Sequence, residues 1–327
     1  MNLLSKKTLC ASAAVMALLG AGASTAQAQV HYFSQNNLLY SFDQSNPSGT
    51  LTTTPKTITG LGSGALDLRV SGLAFDPSGT LWAGNAAGKF FTVDTTTGAA
   101  TFKFNGTNLN TIATFDFRQN GSTLEILANQ TASGGNSTLR RYNASTGVEI
   151  GGGVSLNLGN ASTNYAGDPA SGYDASTGKY YIVKGGAATT ASEDFSLRSY
   201  DVSAGTFSAS LPTNLTWASA GGAWFGNQLY LGYRPGVDGT GGNWYLPSDA
   251  TNDDIYFGTL NTATGAFTQI SGAKFDISIA GAMNPGTTGP SFGYAIAPVP
   301  EPETYAMFLA GLVMAVFMAR RSQKDAV

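Results

Sequence analysis

The sequence predicts an all-β fold, a β-propeller of five blades (six if one repeat hides in the longer segments), closed by a strand from the C-terminal end of the body. Three observations predict it. A turn of the form Asx-x-x-x-Gly recurs after aromatic or β-branched runs, at Asp94 to Gly98, Asn143 to Gly147, Asp201 to Gly205 and Asn261 to Gly265. A second strand-turn-strand segment lies upstream of each turn, so the unit is two successive hairpins that repeat roughly every fifty to sixty residues. The body also starts with a blade short of one strand and ends with a strand that has no hairpin. Four-stranded units of this kind, set around an axis, are propeller blades; a sandwich of the same hairpins is the competing arrangement.

Composition supports this class. The chain has 327 residues with 42 glycines, 11% charged residues and 11% aromatics. Low charge with abundant Gly, Ser, Thr and Asn is typical of a turn-rich antiparallel protein. Five of the 17 Lys and Arg residues and three of the 20 Asp and Glu residues fall outside residues 29–298, which leaves the body twelve basic and seventeen acidic side chains, a net charge of −5. An acidic body without a basic patch excludes a nucleic-acid surface.

At the N-terminus, Lys6 and Lys7 precede an apolar run from Leu9 to Ala23, and Ala26-Gln27-Ala28 has the small-x-small form of a signal-peptidase site. Residues 1–28 therefore read as a signal peptide cut after Ala28, with signal peptidase as a partner. Cys10, the chain's one cysteine, lies at the start of that segment and leaves with it, so the body has no disulfide framework.

The body, residues 29–298, can be taken blade by blade. Val30 to Ser34 and Leu38 to Phe42 form the first hairpin, followed by a looser turn ending at Gly49. LAFDPSGTLWAGN (73–85) and FFTVDTTTG (90–98) supply the second unit, whose FDPSGTLWAG segment resembles the repeats of many bacterial propellers. FDFRQNGSTLEILAN (115–129) pairs with LRRYNASTG (139–147), SGYDASTGKYYIV (171–183) with LRSYDVSAG (197–205), and GAWFGNQLYLGY (222–233) with YFGTLNTATG (256–265). Asp or Asn opens each turn by bonding its own backbone, and Gly accepts the positive φ that ends it. SFGYAIAP (291–298) then supplies the strand missing from the first blade, which leaves no open edge at the closure.

Beyond the body, VPEPETYAMFLAGLVMAVFMARRSQKDAV joins a Pro-Glu-Pro turn, an apolar run over 304–319 and a basic end. Sixteen helical residues span about 24 Å, a short transmembrane helix, with Tyr305 at one interface and Arg320 and Arg321 at the other. The order Val299-Pro300-Glu301-Pro302, hydrophobic helix, basic cluster resembles the PEP-CTERM sorting signal of Gram-negative bacteria. The resemblance implies an exosortase as partner, with residues 299–303 as motif and spacer, 304–319 as a temporary membrane anchor and 320–327 as a cytoplasmic tail. It also implies export through the inner membrane to the cell surface or the extracellular matrix, as for a biofilm component. Basic residues at the cytoplasmic side of both apolar segments place the body across the membrane.

Function is less legible. Loops joining second to third strands lengthen along the chain, and recognition sits on such loops of a rigid scaffold. Candidate ligand-binding residues there are Tyr165, Asp168, Trp217, Tyr233, Arg234, Asp238 and Trp244, aromatics beside carboxylates that suit sugar rings. Asp238, Asp249, Asp253 and Asp254 lack the spacing of a calcium loop, so no metal is expected. His31, the one histidine, lies in a strand, and the zinc-protease, paired-cysteine and nucleophile-elbow motifs do not occur. The reading is a non-enzymatic binding module for polysaccharide or protein, without cofactor, with exopolysaccharide as a possible partner. The alternative is a secreted glycosidase or lyase, which would show two carboxylates, or a carboxylate and a tyrosine, converging in one pocket.

Overall fold

The computed structural model describes residues 29–109, 112–131, 137–156, 170–184, 196–215, 218–235, 254–276 and 292–298. Their strands are β1 (Val30–Gln35), β2 (Leu38–Asp43) and β3 (Lys56–Thr57); β4 (Val70–Phe75), β5 (Leu81–Asn85), β6 (Lys89–Val93) and β7 (Ala100–Asn105). Next come β8 (Ile112–Asn120), β9 (Thr123–Thr131), β10 (Ser137–Asn143) and β11 (Val154–Ser155), then β12 (Ala170–Asp174), β13 (Lys179–Lys184), β14 (Ser196–Asp201), β15 (Thr206–Phe207) and β16 (Leu211–Pro212). β17 (Ala218–Phe225), β18 (Gln228–Pro235), β19 (Asp254–Leu260), β20 (Phe267–Asp276) and β21 (Phe292–Ile296) complete the set.

These strands form five antiparallel sheets: β21-β1-β2-β3, β4-β5-β6-β7, β8-β9-β10-β11, β12-β13-β14-β15 with β16 also on β14, and β17-β18-β19-β20. The innermost strands are neighbours in a closed cycle, β21 beside β4, then β8, β12, β17 and β21 again. This is a five-bladed propeller, and blades 1 to 5 are numbered in the order just given. The last strand pairs antiparallel with the first, His31 opposite Ile296 and Gln35 opposite Phe292. Closure by the C-terminal strand is thus as the sequence predicts.

Local chemistry explains the repeat. At the four full Asx turns the side-chain oxygen of Asp94, Asn143, Asp201 or Asn261 accepts two backbone N–H groups at 2.7 to 3.0 Å. The glycine that ends each turn has φ between 69 and 79° and donates its N–H to the opening residue's carbonyl. An L side chain is disfavoured at that φ. Blade 1 departs from the pattern: Pro47–Thr50 form one helical turn, capped by Asn46 Oδ1, which accepts from Gly49 N at 3.2 Å.

The inner strands pack backbone against backbone. A β-carbon on Gly172 would lie 2.7 Å from Trp224 N, and one on Gly222 would lie 2.6 Å from Ser171 N. Only glycine permits that approach. Further out, side chains fill the seams between blades, and the one at the closure is mainly aromatic. There Phe33, Phe42, Phe257, Phe275, Phe292 and Tyr294 form one aromatic cluster. Each fully buried side chain of this size contributes about 1.5–3 kcal/mol.

Two details differ from the sequence reading. The strand segments read from sequence, ending at residue 129 and starting again at 139, are extended: β9 runs on to Thr131 and β10 starts at Ser137. The outer edge of blade 4, where the repeat calls for one strand, is broken into β15 and β16, since the Ser208 hydroxyl, not a carbonyl, accepts Ser199 N–H at 2.9 Å.

Candidate functional site

In an up-and-down blade the turns between strands one and two and between strands three and four share one end of the ring; we call this the turn face. The longer connections share the other. Of the residues expected to bind ligand there, Tyr165, Asp168, Trp217, Asp238 and Trp244 lie outside the described residues. Tyr233 and Arg234 fall within β18, opposite Ala220 and Ser219. Val299 to Pro302, Arg320 and Arg321 also lie outside the described residues.

The turn face is the end of the ring at which β21 finishes. β21 ends at Ile296, and Ala297 still donates its N–H to Val30 O at 2.9 Å. Pro298 follows and sits over Gly79, where a β-carbon would be 3.7 Å from Pro298 Cγ. Gly79 forms one rim of a cleft of about 430 Å³ in blade 2, lined by Thr80, Thr92, Thr95, Thr101 and Asp94 together with Leu81, Val93 and Ala99.

Both rims of the cleft are held by carboxylates. Asp76 Oδ1 accepts from Ser78 N, Ser78 Oγ and Thr80 N at 2.6 to 3.0 Å, while its Oδ2 accepts from Trp82 Nε1 at 3.0 Å. Asp94 accepts from Thr97 N and Thr96 N, bonds that hold its carboxyl below the usual range. Lys56 Nζ donates to Thr95 O at 2.6 Å, and Thr59 bridges to Ala99, so blade 1 braces the same turn. The cleft is therefore a hydroxyl-rich surface edged by Asp76 and Asp94, with the Lys56 ammonium beside it, suited to hydrogen-bonded recognition.

A second polar group fills the turn-face end of the seam between blades 3 and 4. Arg118 reaches Glu125 at 3.6 Å, donates to Ser203 Oγ at 3.2 Å and bonds the Tyr173 hydroxyl. Arg141 is 4.0 Å from the same carboxylate, and Asn120 Nδ2 donates to its Oε1 at 2.8 Å. Glu125 is 1% exposed, and its Oε2 has no hydrogen-bond partner. The sequence does contain a signal for this pairing. Arg118 and Glu125 stand equally far from the Gly121-Ser122 turn and so face each other across the hairpin.

Asp116, on the innermost strand of blade 3, keeps some accessible surface yet is bonded by residues of β12 and β17. Burial pushes its carboxyl up to about 7, against the opposing effect of N–H bonds from Tyr173, Phe117 and Trp224. The bonds from Tyr173 and Trp224 tie β8 to β12 and β17. Tyr180 OH, Ser171 Oγ and Thr114 Oγ1 form a buried chain beside it, and burial raises the tyrosine above its ordinary range. A carboxylate and a tyrosine do come together here, inside packed inner strands, each engaged by the fold.

His31 is wholly buried, its Nδ1 2.5 Å from Tyr294 OH and its Nε2 3.0 Å from Gln44 Oε1. It stacks on Phe42, and burial lowers its pKa to about 4. It joins the first strand to the last, a structural role consistent with its place in a strand. Among the described residues no three His, Cys, Asp or Glu side chains gather as a metal site, and no helix is long and apolar enough to cross a membrane.

Residues 298–322 carry the PEP-CTERM protein-sorting motif. No curated protein matches the chain. Among solved structures, the crystal structure of TolB from Acinetobacter baumannii is similar, 16% identical over 78% of this chain and 56% of that one, with a TM-score of 0.41. This chain thus spans little more than half the length of that relative.

Proposed function

We propose that the chain is an exported cell-envelope or extracellular-matrix protein, anchored briefly by its tail, processed by an exosortase, and carrying a propeller that binds polysaccharide or another protein without catalysis. The observation that supports the reading is the position of the motif: it starts at residue 298, two residues after the strand that closes the ring. A fold completed by its last strand can lose everything downstream without losing a blade. That is the property a removable anchor requires.

The test is made in a bacterium that carries an exosortase. Glu301→Ala or Pro302→Ala leaves the protein as a membrane-bound precursor, seen by fractionation and immunoblotting. Normal release of both variants contradicts the sorting assignment. For the body, the purified protein on a glycan array binds a subset of polysaccharides and leaves them uncut; shortened products would identify a glycosidase or lyase instead.

A further inference from the structure

We infer that the enzyme reading the sorting motif docks on the turn face of blade 2, against the threonine-lined cleft beside Pro298. The inference rests on the sorting assignment above and adds to it a footprint on the folded body.

The argument is one of reach. Ala297 is fixed to Val30 by a hydrogen bond, and Pro298 lies against Gly79. A chain extends at most about 3.6 Å per residue, so Pro302, four residues on, stays within about 14 Å of Pro298 however it is arranged. A domain of even 100 residues has a radius of gyration of about 13 Å. An enzyme that grips residues 299–302 therefore cannot stand clear of the ring. Either it meets the surface around Pro298 or the last strand peels away first.

Peeling is opposed by the closure. All five residues of β21 are buried, and the strand is held by its ladder with β1, by Gly293 N donating to Ser34 Oγ at 2.9 Å and by the Tyr294–His31 bond. The surface around Pro298, in contrast, is already open. The Gly79 rim adjoins the cleft, where Thr92 and Thr101 face each other across β6 and β7 and can each donate and accept. Asp94 edges the cleft as a carboxylate that already has the Lys56 ammonium near it, so the charge there is largely matched within the body. The complementary partner surface is thus a polar, uncharged segment that donates and accepts hydrogen bonds.

Release of mature protein is measured for the full chain in the exosortase host. Thr92→Arg and Thr101→Arg, each filling the cleft with an intact tail, lower release at least threefold, while Ser145→Arg, on the matching turn of blade 3, does not. A flexible Gly/Ser insert of about sixteen residues after Pro298, with a mean span of roughly 22 Å, makes release insensitive to both cleft variants. Thermal unfolding of the purified variants verifies that each body is folded. Wild-type release from both folded cleft variants overturns the inference, as does faster release from Tyr294→Phe, which would show that the strand peels. Failure of the sorting assignment itself is separate, since it appears as normal release from both Glu301→Ala and Pro302→Ala.

Discussion

At the scale of the residue, His31 and Asp116 are opposed titrations inside one fold. His31 has its pKa lowered to about 4 from 6.5, so the unfolded chain binds more protons between those values. Its contribution is complete above about pH 6.5 and is lost as pH falls through 4, roughly 3 kcal/mol at about 1.4 kcal/mol per unit. Asp116 is raised from 3.8 to about 7, so the folded state binds more protons in that window and stability falls as pH rises through it. Between pH 4 and 6.5 the two effects offset each other. Urea titrations should find wild-type stability nearly flat there, and Asp116→Asn should unmask a rise with pH. A flat profile in Asp116→Asn would show that His31 is not buried uncharged at the closure. Neither shift could be read from the sequence, where His31 is one residue of a strand and Asp116 one of seventeen body acids; both arise from packing between strands distant in the chain.

At the scale of the element, the sequence speaks clearly where structure is local. The Asx turns carry their own hydrogen bonds and their own positive-φ glycine, so four of them were legible as motifs before any strand was placed. Arg118 and Glu125 were legible in principle, being symmetric about a two-residue turn. The inner-strand glycines were not, because the need for them comes from the next blade. Gly222 illustrates the point: its β-carbon would meet Ser171 N and O at 2.6 and 2.7 Å, backbone atoms of β12 that cannot move aside alone. Gly222→Ala should therefore destabilise the body by about 1–3 kcal/mol, the usual range for overpacking, as a lower urea midpoint at unchanged slope. An unchanged midpoint would mean that the inner strands are not in backbone contact.

At the scale of the whole molecule, the ring joins its own ends and the delivery signal begins where they join. The five-blade count and the closure follow from repeats and from the two incomplete ends, which the sequence displays. The face where the chain leaves does not, since it depends on Pro298 meeting Gly79 across more than two hundred residues. The most direct measurement is a disulfide trap between β1 and β21. Tyr32 faces Ala295, and the Ala297–Val30 bond sets this as a hydrogen-bonded pair, about 5.5 Å between Cα atoms and within disulfide range. Cys10 is the chain's one cysteine, so with Cys10→Ser the engineered pair has no competitor. Mild oxidation of the Tyr32→Cys, Ala295→Cys protein should link the ends in nearly every molecule, with a mobility shift reversed by reductant and an unfolding midpoint above that of the reduced form. Free thiols after oxidation of the folded protein would contradict closure by the C-terminal strand.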